Sequence, residues 1–223
     1  MMTRLLLLPL LLLVLAGAAV AEEVWERLAN TLSVDRALTA LEAACPADLL
    51  SASIGLPDGV AQHGVWSCGP DGAACLEFCK AGDPSACFDL GRVYQTEAPQ
   101  FEASKTATER LFAQACAHGS PLACTNRAAA ILRQRPGDPF AMEAPEVAAT
   151  CARRSFEMTC ERESAWGCTM LGSLLGDGRG GPEDRDGAAV ALRAACRIEG
   201  PGSAACDGAQ SVAARLDLGG LLD

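Results

Sequence analysis

The chain has 223 residues, a formal net charge of −10 and a 50% share of hydrophobic residues. So acidic a chain, with 18 lysines and arginines, lacks the clustered cations that bind a nucleic-acid backbone or an anionic lipid surface. Aromatic residues make up 4% while Ala and Gly abound, and few β-branched runs alternate with period two. This composition predicts a nearly all-helical chain whose helices pack closely.

The first 21 residues have the pattern of an export signal. Arg4 supplies a positive charge, residues 5–15 form an apolar run, and Ala19-Val20-Ala21 is a small-residue cleavage site. The apolar run is short for a membrane span. We therefore expect a signal peptide at residues 1–21 and a secreted, most plausibly periplasmic, mature protein without a membrane span.

Residues 22–70 predict a degenerate helical cap. A helix is expected from Val34 to Cys45, followed by a loop that carries Gly and Pro. The terminal unit of a stacked array must present a polar outer face, which suits a degenerate first unit. The apolar tail at residues 216–223 is interpreted as a short capping turn at the other end.

Eight of the twelve cysteines form four pairs with a regular spacing. Successive first cysteines are 37, 44 and 36 residues apart, and the longest interval contains a loop-rich insertion from Arg135 to Pro139. A period of this size is typical of a stacked helical array, here expected over residues 71–215. The pairs are Cys79/Cys87, Cys116/Cys124, Cys160/Cys168 and Cys196/Cys206.

The residues around each pair predict a tight corner between two helices. Three places after the first cysteine stand Gly82, Gly119 and, out of pattern, Glu163, where a helix would end. The next residue is Asp83, Ser120 or Ser164, each a good N-cap for a second helix. Such a corner brings the two cysteines together, and in an oxidising compartment we expect a disulfide in each.

The best-formed stretch resembles a Sel-1-like repeat, a relative of the tetratricopeptide repeat. Its helix ends in Leu171-Gly172-Ser173-Leu174-Leu175-Gly176, breaks at a glycine cluster and restarts at Pro182. Units with a Cys-x7-Cys pair resemble the Helicobacter cysteine-rich protein family over residues 74–214. Gly91-Arg92-Val93-Tyr94 fills the Leu-Gly-x-x-Tyr slot of that family, while Arg127-Ala128 and Ala209-Gln210 depart from it. The resemblance implies an α-solenoid of about four antiparallel helix pairs, stapled by disulfides.

Four further cysteines allow three pairings. The residues before Cys45 echo those before Cys196, so Cys45 is interpreted as the end of a degenerate first unit with Cys68 as its partner. Cys75 and Cys151 would then face each other between neighbouring units or stay as buried thiols.

Catalytic machinery is sparse. Of the two histidines, His63 lies in a loop and His118 in a predicted corner, while Lys80 and Lys105 lack the serine of a Ser-x-x-Lys motif. Glu183 and the acids after it start a helix, and Trp166 and three methionines are interpreted as packing residues. We predict no catalytic residue, metal site or cofactor.

Three functions follow in order of preference. A curved solenoid without catalytic residues favours binding of a protein or peptide partner on its concave surface, as a monomer. The family resemblance implies penicillin binding or weak β-lactamase activity as the alternative. A redox or cofactor-handling role that uses Cys75 and Cys151 is the third, and it requires titratable thiols.

Overall fold

The computed structural model describes residues 23, 25–34, 41, 44–52, 72–96, 102–133, 142 and 144–218. Within these ranges the chain is all-helical, as predicted, and contains no strand. The expected signal peptide and the last five residues of the tail lie outside them. The helices are α1 (residues 25–34), α2 (Pro46–Ala52), α3 (Ala73–Lys80), α4 (Pro84–Thr96), α5 (Glu102–Ala117), α6 (Pro121–Arg133), α7 (Pro145–Glu161), α8 (Ala165–Gly176), α9 (Arg185–Glu199) and α10 (Ala204–Arg215).

Eight helices form four antiparallel pairs, units 1 to 4, which are α3/α4, α5/α6, α7/α8 and α9/α10. A residue with positive φ ends the first helix of units 1 to 3: Gly82 at 95°, Gly119 at 92° and Glu163 at 60°. Glycine adopts this conformation without a Cβ penalty. Glu163 adopts it although it has a side chain, so the left-handed turn is a requirement of the corner.

The second helix of each unit begins with a side chain that accepts a hydrogen bond from a backbone N–H of the first turn. This satisfies one of the donors that every helix start leaves without an intrahelical partner. The three caps predicted from sequence are confirmed, and unit 4 has a fourth. The bonds are Ala86 N–H to Asp83 at 3.2 Å, Ala123 to Ser120 at 3.2 Å, Gly167 to Ser164 at 3.1 Å and Cys206 to Ser203 at 3.2 Å.

Each corner carries its predicted disulfide. The bonded cysteines are 8 or 10 residues apart in sequence, and their Cα atoms are separated by 4.4–4.7 Å. Closing so short a loop stabilises each corner by about 2.6 kcal/mol in the chain-entropy account. The bonds are Cys79–Cys87, Cys116–Cys124, Cys160–Cys168 and Cys196–Cys206.

Successive units stack through glycines at one repeated position. A Cβ built on Gly91 of α4 would lie 2.8 Å from the Phe112 ring of α5, and one on Gly172 of α8 would lie 2.6 Å from Leu192 of α9. Phe112 and Leu192 both stand four residues before the first cysteine of their corner. The absence of a side chain therefore lets the second helix of one unit approach the first helix of the next.

Unit 2 replaces the Leu-Gly dipeptide with Arg127-Ala128 and keeps both residues buried. Ala128 belongs to the same apolar cluster as Phe156 of α7, so a small residue still serves the stacking contact. The Arg127 side chain is 1% exposed and its Nη1 lies 3.0 Å from Glu109 Oε2, which is 15% exposed. A buried guanidinium needs such a carboxylate, because an unpaired charge would be costly to desolvate.

The end of the stack is closed by residues 216–218, consistent with the predicted capping turn. Leu216 and Leu218 are 7% and 4% exposed, and Leu216 lies against Gly176 at the end of α8. Arg215 donates to both carboxylate oxygens of Asp177, at 2.6 and 3.0 Å. This links α10 to the connection between α8 and α9.

The N-terminal helices differ from the prediction. The expected helix from Val34 to Cys45 is wrong, because the described residues Leu41, Ala44 and Cys45 are not helical. Cys45 directly precedes α2 and does not end a helix. Helix α2 does not form a terminal unit of the stack either, since it packs against α5, α6 and α7.

Among the helices described, none is long and apolar enough to cross a membrane.

We expect Gly172→Leu to lower the free energy of unfolding by about 2–3 kcal/mol, because the new side chain must displace Leu192. Urea unfolding monitored by circular dichroism measures the change. Ala214→Leu adds the same side chain at an exposed position of α10 and should shift stability by about 0.5 kcal/mol or less. Equal effects of the two substitutions would contradict the stacking contact.

We also expect the Asp177–Arg215 pair to make stability pH-dependent. The Arg215 guanidinium lowers the pKa of Asp177 below its ordinary value of 3.8. Stability from this pair is therefore complete above about pH 4 and is lost as the pH falls through the folded-state pKa. Since both side chains are partly exposed, the pair should contribute about 1 kcal/mol or less.

Unfolding of wild type, Asp177→Asn, Arg215→Met and the double variant at pH 7 and pH 2 measures this contribution. The coupling between the two substitutions should be smaller at pH 2 than at pH 7. A coupling that is equally large at both pH values would show that the charge of Asp177 does not carry it.

Candidate functional site

The first helices of units 2, 3 and 4 share a surface that the N-terminal segment covers at unit 2 and in part at unit 3, and that is otherwise open. Six places before the first cysteine of each corner stand Arg110 in α5, Arg154 in α7 and Val190 in α9. Arg110 is 6% exposed, whereas Arg154 is exposed and Val190 is 59% exposed. We call this surface the first-helix face. It comprises Arg110, Ala113, Arg154, Glu157, Glu161, Val190, Arg193 and Arg197.

The cover at unit 2 is the chain's own N-terminal segment. Arg110 donates to the backbone carbonyl of Leu32 in α1 at 2.9 Å. Two turns earlier in α1, Trp25 meets Tyr94 of α4 edge to face with ring centroids 5.5 Å apart, and the Tyr94 hydroxyl donates to the Trp25 carbonyl at 3.2 Å.

Helix α2 lies in the groove formed by α5, α6 and α7. Pro46, Ala47 and Leu50 form its buried side, with Ala47 2% and Leu50 0% exposed. Asp48 and Ser51 point to the other side and are exposed. This is the pattern of an amphipathic helix that buries one stripe.

Helix α7 satisfies polar groups at both ends of α2. The Ala47 N–H, at the start of α2, donates to Ser155 Oγ at 3.1 Å, and the Leu50 carbonyl accepts from Arg162 at 3.3 Å. Cys45 cannot act as a side-chain N-cap, so the acceptor comes from another helix. Arg154 adds an ion pair to Asp48 at 2.5 Å. Because the start of α2 meets Ser155 and its end meets Arg162, the two helices run in the same direction.

A fifth disulfide, Cys45–Cys151, links the start of α2 to α7. The predicted partner Cys68 for Cys45 is therefore wrong, and so is a pair between Cys75 and Cys151. Helix geometry explains the error, since Cys45 stands before Pro46 at a helix start and faces α7. Cys75 is disulfide-bonded as well, while Cys68 lies outside the described residues.

The Cys45–Cys151 bond differs in kind from the corner disulfides. It joins residues 106 apart, so closing that loop stabilises the fold by about 4.8 kcal/mol in the chain-entropy account. The bond also forms part of a surface cleft of about 440 Å³ between α2 and α7. The cleft is lined by Cys45, Asp48, Met142, Glu146, Val147, Thr150, Cys151 and Arg154.

The open part of the first-helix face has opposite charges on its two helices. Glu157 and Glu161 are exposed on α7, and Arg193 and Arg197 are exposed at the same repeat positions of α9. Beside the two arginines is a cleft of about 410 Å³, lined by Arg193, Cys196, Arg197, Pro201, Cys206 and Gln210. With Val190 nearby, α9 offers an apolar contact next to two cations.

The other residues singled out by the sequence lie apart from this face or have structural contacts. His118 lies in the corner of unit 2, where its Nε2 is 2.7 Å from the Gln114 amide nitrogen, and His63 lies outside the described residues. Trp166 is 41% exposed and its ring lies against Gly208 of α10. Asp184 directly precedes α9, which begins at Arg185, and caps it by accepting from Gly187 N–H at 2.8 Å.

The described cysteines carry no free thiol, so the titratable thiols that the redox interpretation requires at Cys75 and Cys151 do not occur in this oxidised structure. Within the described ranges, no three His, Cys, Asp or Glu side chains are grouped so that they could hold a metal ion.

Sequence reasoning missed α2 and the groove that holds it. A signal was present, because Pro46 suits the first position of a helix and Asp48 supplies an acid in its first turn. A segment of seven residues with two leucines is too short to show a helical period, so the sequence predicts a loop there. That α2 packs on α7 could not be inferred from local sequence.

Comparison with family models, with curated proteins and with solved structures finds no match to this chain.

We expect Ser155→Ala to destabilise the protein by about 1–2 kcal/mol, because the Ala47 N–H would be left buried without an acceptor. Amide hydrogen exchange at Ala47 should accelerate together with that of α2. Ser211→Ala is the matched control. The Ser211 hydroxyl donates to the Asp207 carbonyl of its own helix, just as the Ser155 hydroxyl donates to the Cys151 carbonyl, but Ser211 does not cap α2. If Ser155→Ala leaves α2 as protected as the control does, Ser155 does not cap α2.

Proposed function

We propose that this protein is an exported helical-repeat scaffold that binds a polypeptide partner on the first-helix face, which would be the concave surface of the solenoid. The observation that supports this most directly is helix α2. A seven-residue amphipathic helix already lies on this face, with its apolar side buried and its backbone ends hydrogen-bonded to α7. The face thus has the features that recognition of a helix in a groove requires.

The charge distribution favours a partner with an acidic group. The protein as a whole is acidic, yet Arg193 and Arg197 stand together on α9 beside an exposed Val190. A segment that places a carboxylate against the two arginines and an apolar side chain on Val190 would complement α9. Charge complementarity of this kind mainly supplies specificity and a faster association.

The compartment and the family are part of the same proposal. Five disulfides are expected to form and persist in an oxidising compartment, which supports an exported protein. The periplasm and membership of the Sel-1-like repeats remain predictions from the sequence. Penicillin binding, which the same resemblance implied, stays a prediction too.

Selection of displayed random twelve-residue peptides on the oxidised full-length protein tests this function. We expect enriched peptides to carry an acidic residue close to an apolar one. Arg193→Glu/Arg197→Glu should weaken their binding at least about tenfold, because the substitutions turn attraction into repulsion. Fluorescence anisotropy with the enriched peptides measures the affinities.

The matched control is Lys105→Glu, which reverses an exposed cation on α5 away from the open face. It should leave the affinity unchanged. If both variants bind the peptides as the wild type does, the peptides do not bind at α9 and the proposed site is wrong.

A further inference from the structure

Opening the Cys45–Cys151 disulfide would affect the helices it joins differently from opening a corner disulfide. A corner disulfide joins two helices that also share a tight turn, N-caps and an extensive packed interface, so opening it leaves both helices held. Cys45–Cys151 joins α7 to a helix of only seven residues. A helix this short is not stable by itself in water, so α2 depends on the groove in which it lies.

Helix α2 contacts its groove as a bound amphipathic peptide would. Leu50 packs in one apolar cluster with residues of α3 to α6, and Cys45 and Ala47 pack in another with Ile131 of α6 and Ala148 of α7. Ala47 and Leu50 supply its buried anchors, Asp48 its exposed ion pair with Arg154, and Ser155 and Arg162 its two backbone hydrogen bonds. The ion pair is exposed on both sides and adds little. The covalent bond is therefore the largest single restraint on α2.

The walls of the groove have restraints of their own. Cys116–Cys124 joins α5 to α6, Cys160–Cys168 joins α7 to α8, and Ala128 of α6 packs in one apolar cluster with Phe156 of α7. These restraints would hold the three helices together if α2 left the groove.

We propose that the groove on α5, α6 and α7 is a second binding site, for a short amphipathic helix of another polypeptide, and that α2 is its built-in occupant, latched by Cys45–Cys151. The partner helix would place Ala- and Leu-sized side chains where Ala47 and Leu50 lie and an acid against Arg154. This site lies beside the open part of the first-helix face and shares with the proposed function the observation of α2 in its groove. The two are tested by different substitutions, at Arg193 and Arg197 there and at Cys45 and Leu50 here, so that one can fail without the other.

A dithiol reductant opens the latch. One thiolate attacks a sulfur of the Cys45–Cys151 bond and forms a mixed disulfide with it, which releases the other cysteine as a thiolate. The second thiol of the reductant then attacks the mixed disulfide and releases the second cysteine. Two electrons pass from the reductant to the protein disulfide, giving two cysteine thiols and one oxidised dithiol. Cys45 and Cys151 are 7% and 6% exposed and line a cleft of about 440 Å³, from which the reductant would have to reach the bond.

Disulfide trapping tests the site. The full-length Cys45→Ser/Leu50→Asp variant leaves the Cys151 thiol in the groove and removes the anchor of its own α2. The probe is the nine-residue peptide of residues 44–52, Ala-Cys-Pro-Ala-Asp-Leu-Leu-Ser-Ala, in a glutathione redox buffer. We expect intact mass to show at least about tenfold more trapping at equilibrium than for the same peptide with Asp in place of its second leucine.

Cys206→Ser is the matched control protein, because it leaves a single thiol at Cys196 in the cleft beside α9. There the two peptides should be trapped equally, since only general thiol reactivity is measured. Equal trapping of the two peptides on Cys151 would overturn the proposal.

A second measurement does not depend on the peptide. In Cys45→Ser alone, amide exchange at residues 48–50 should accelerate at least about tenfold while α5, α6 and α7 stay protected, and Cys206→Ser should leave α2 unchanged. Loss of protection throughout units 2 and 3 would show that α2 is an integral part of the core, which overturns the proposal. A Cys45→Ser dimer that exchanges α2 between two copies would overturn it as well, because the occupant would then be a second copy.

Discussion

The tight corner between paired helices is the constraint on which the rest of the structure depends. A residue in the left-handed conformation ends the first helix, a Ser or Asp side chain caps the second, and a disulfide fixes the distance between them. Each contribution is local, so units 1 to 3 repeat the same kind of corner without help from a distant segment, and unit 4 has a corner two residues longer. Glu163 makes this clear, because it accepts a positive φ at a position where the other early corners have glycine. The repetition of one corner is what turns eight helices into a stack.

Small residues determine how closely the units stack. Gly91 and Gly172 lie where a Cβ would overlap with a side chain of the next helix. The close packing of the units therefore requires glycine at these positions as well as apolar contacts around them. Unit 2 meets the same need with Ala128 and tolerates the buried Arg127 beside it because Glu109 neutralises the charge. The low aromatic content of the chain is thus compatible with a dense core. Helices that approach this closely need little side-chain volume between them.

The first-helix face connects this architecture to function. Where α1 and α2 cover it, repeat positions such as Arg110 and Ala113 are buried, and where they do not, Val190 and the arginines of α9 are exposed. The chain's own N-terminal helices therefore cover one part of this surface and leave another part exposed, which is the basis of both proposals. The corner disulfides join helices within a unit, whereas Cys45–Cys151 joins α2 to the stack.

The sequence by itself determined the helical fold, the register of the four units, the corner disulfides and three of their N-caps, because each corner depends on residues that lie about ten positions or fewer apart. The structure alone decided where α2 lies, that Cys45 pairs with Cys151 across 106 residues, and which part of the first-helix face stays open. These features arise from contacts between segments distant in sequence, where neither cysteine spacing nor helical periodicity carries information. Local chemistry specified the scaffold, and only tertiary packing specified the site.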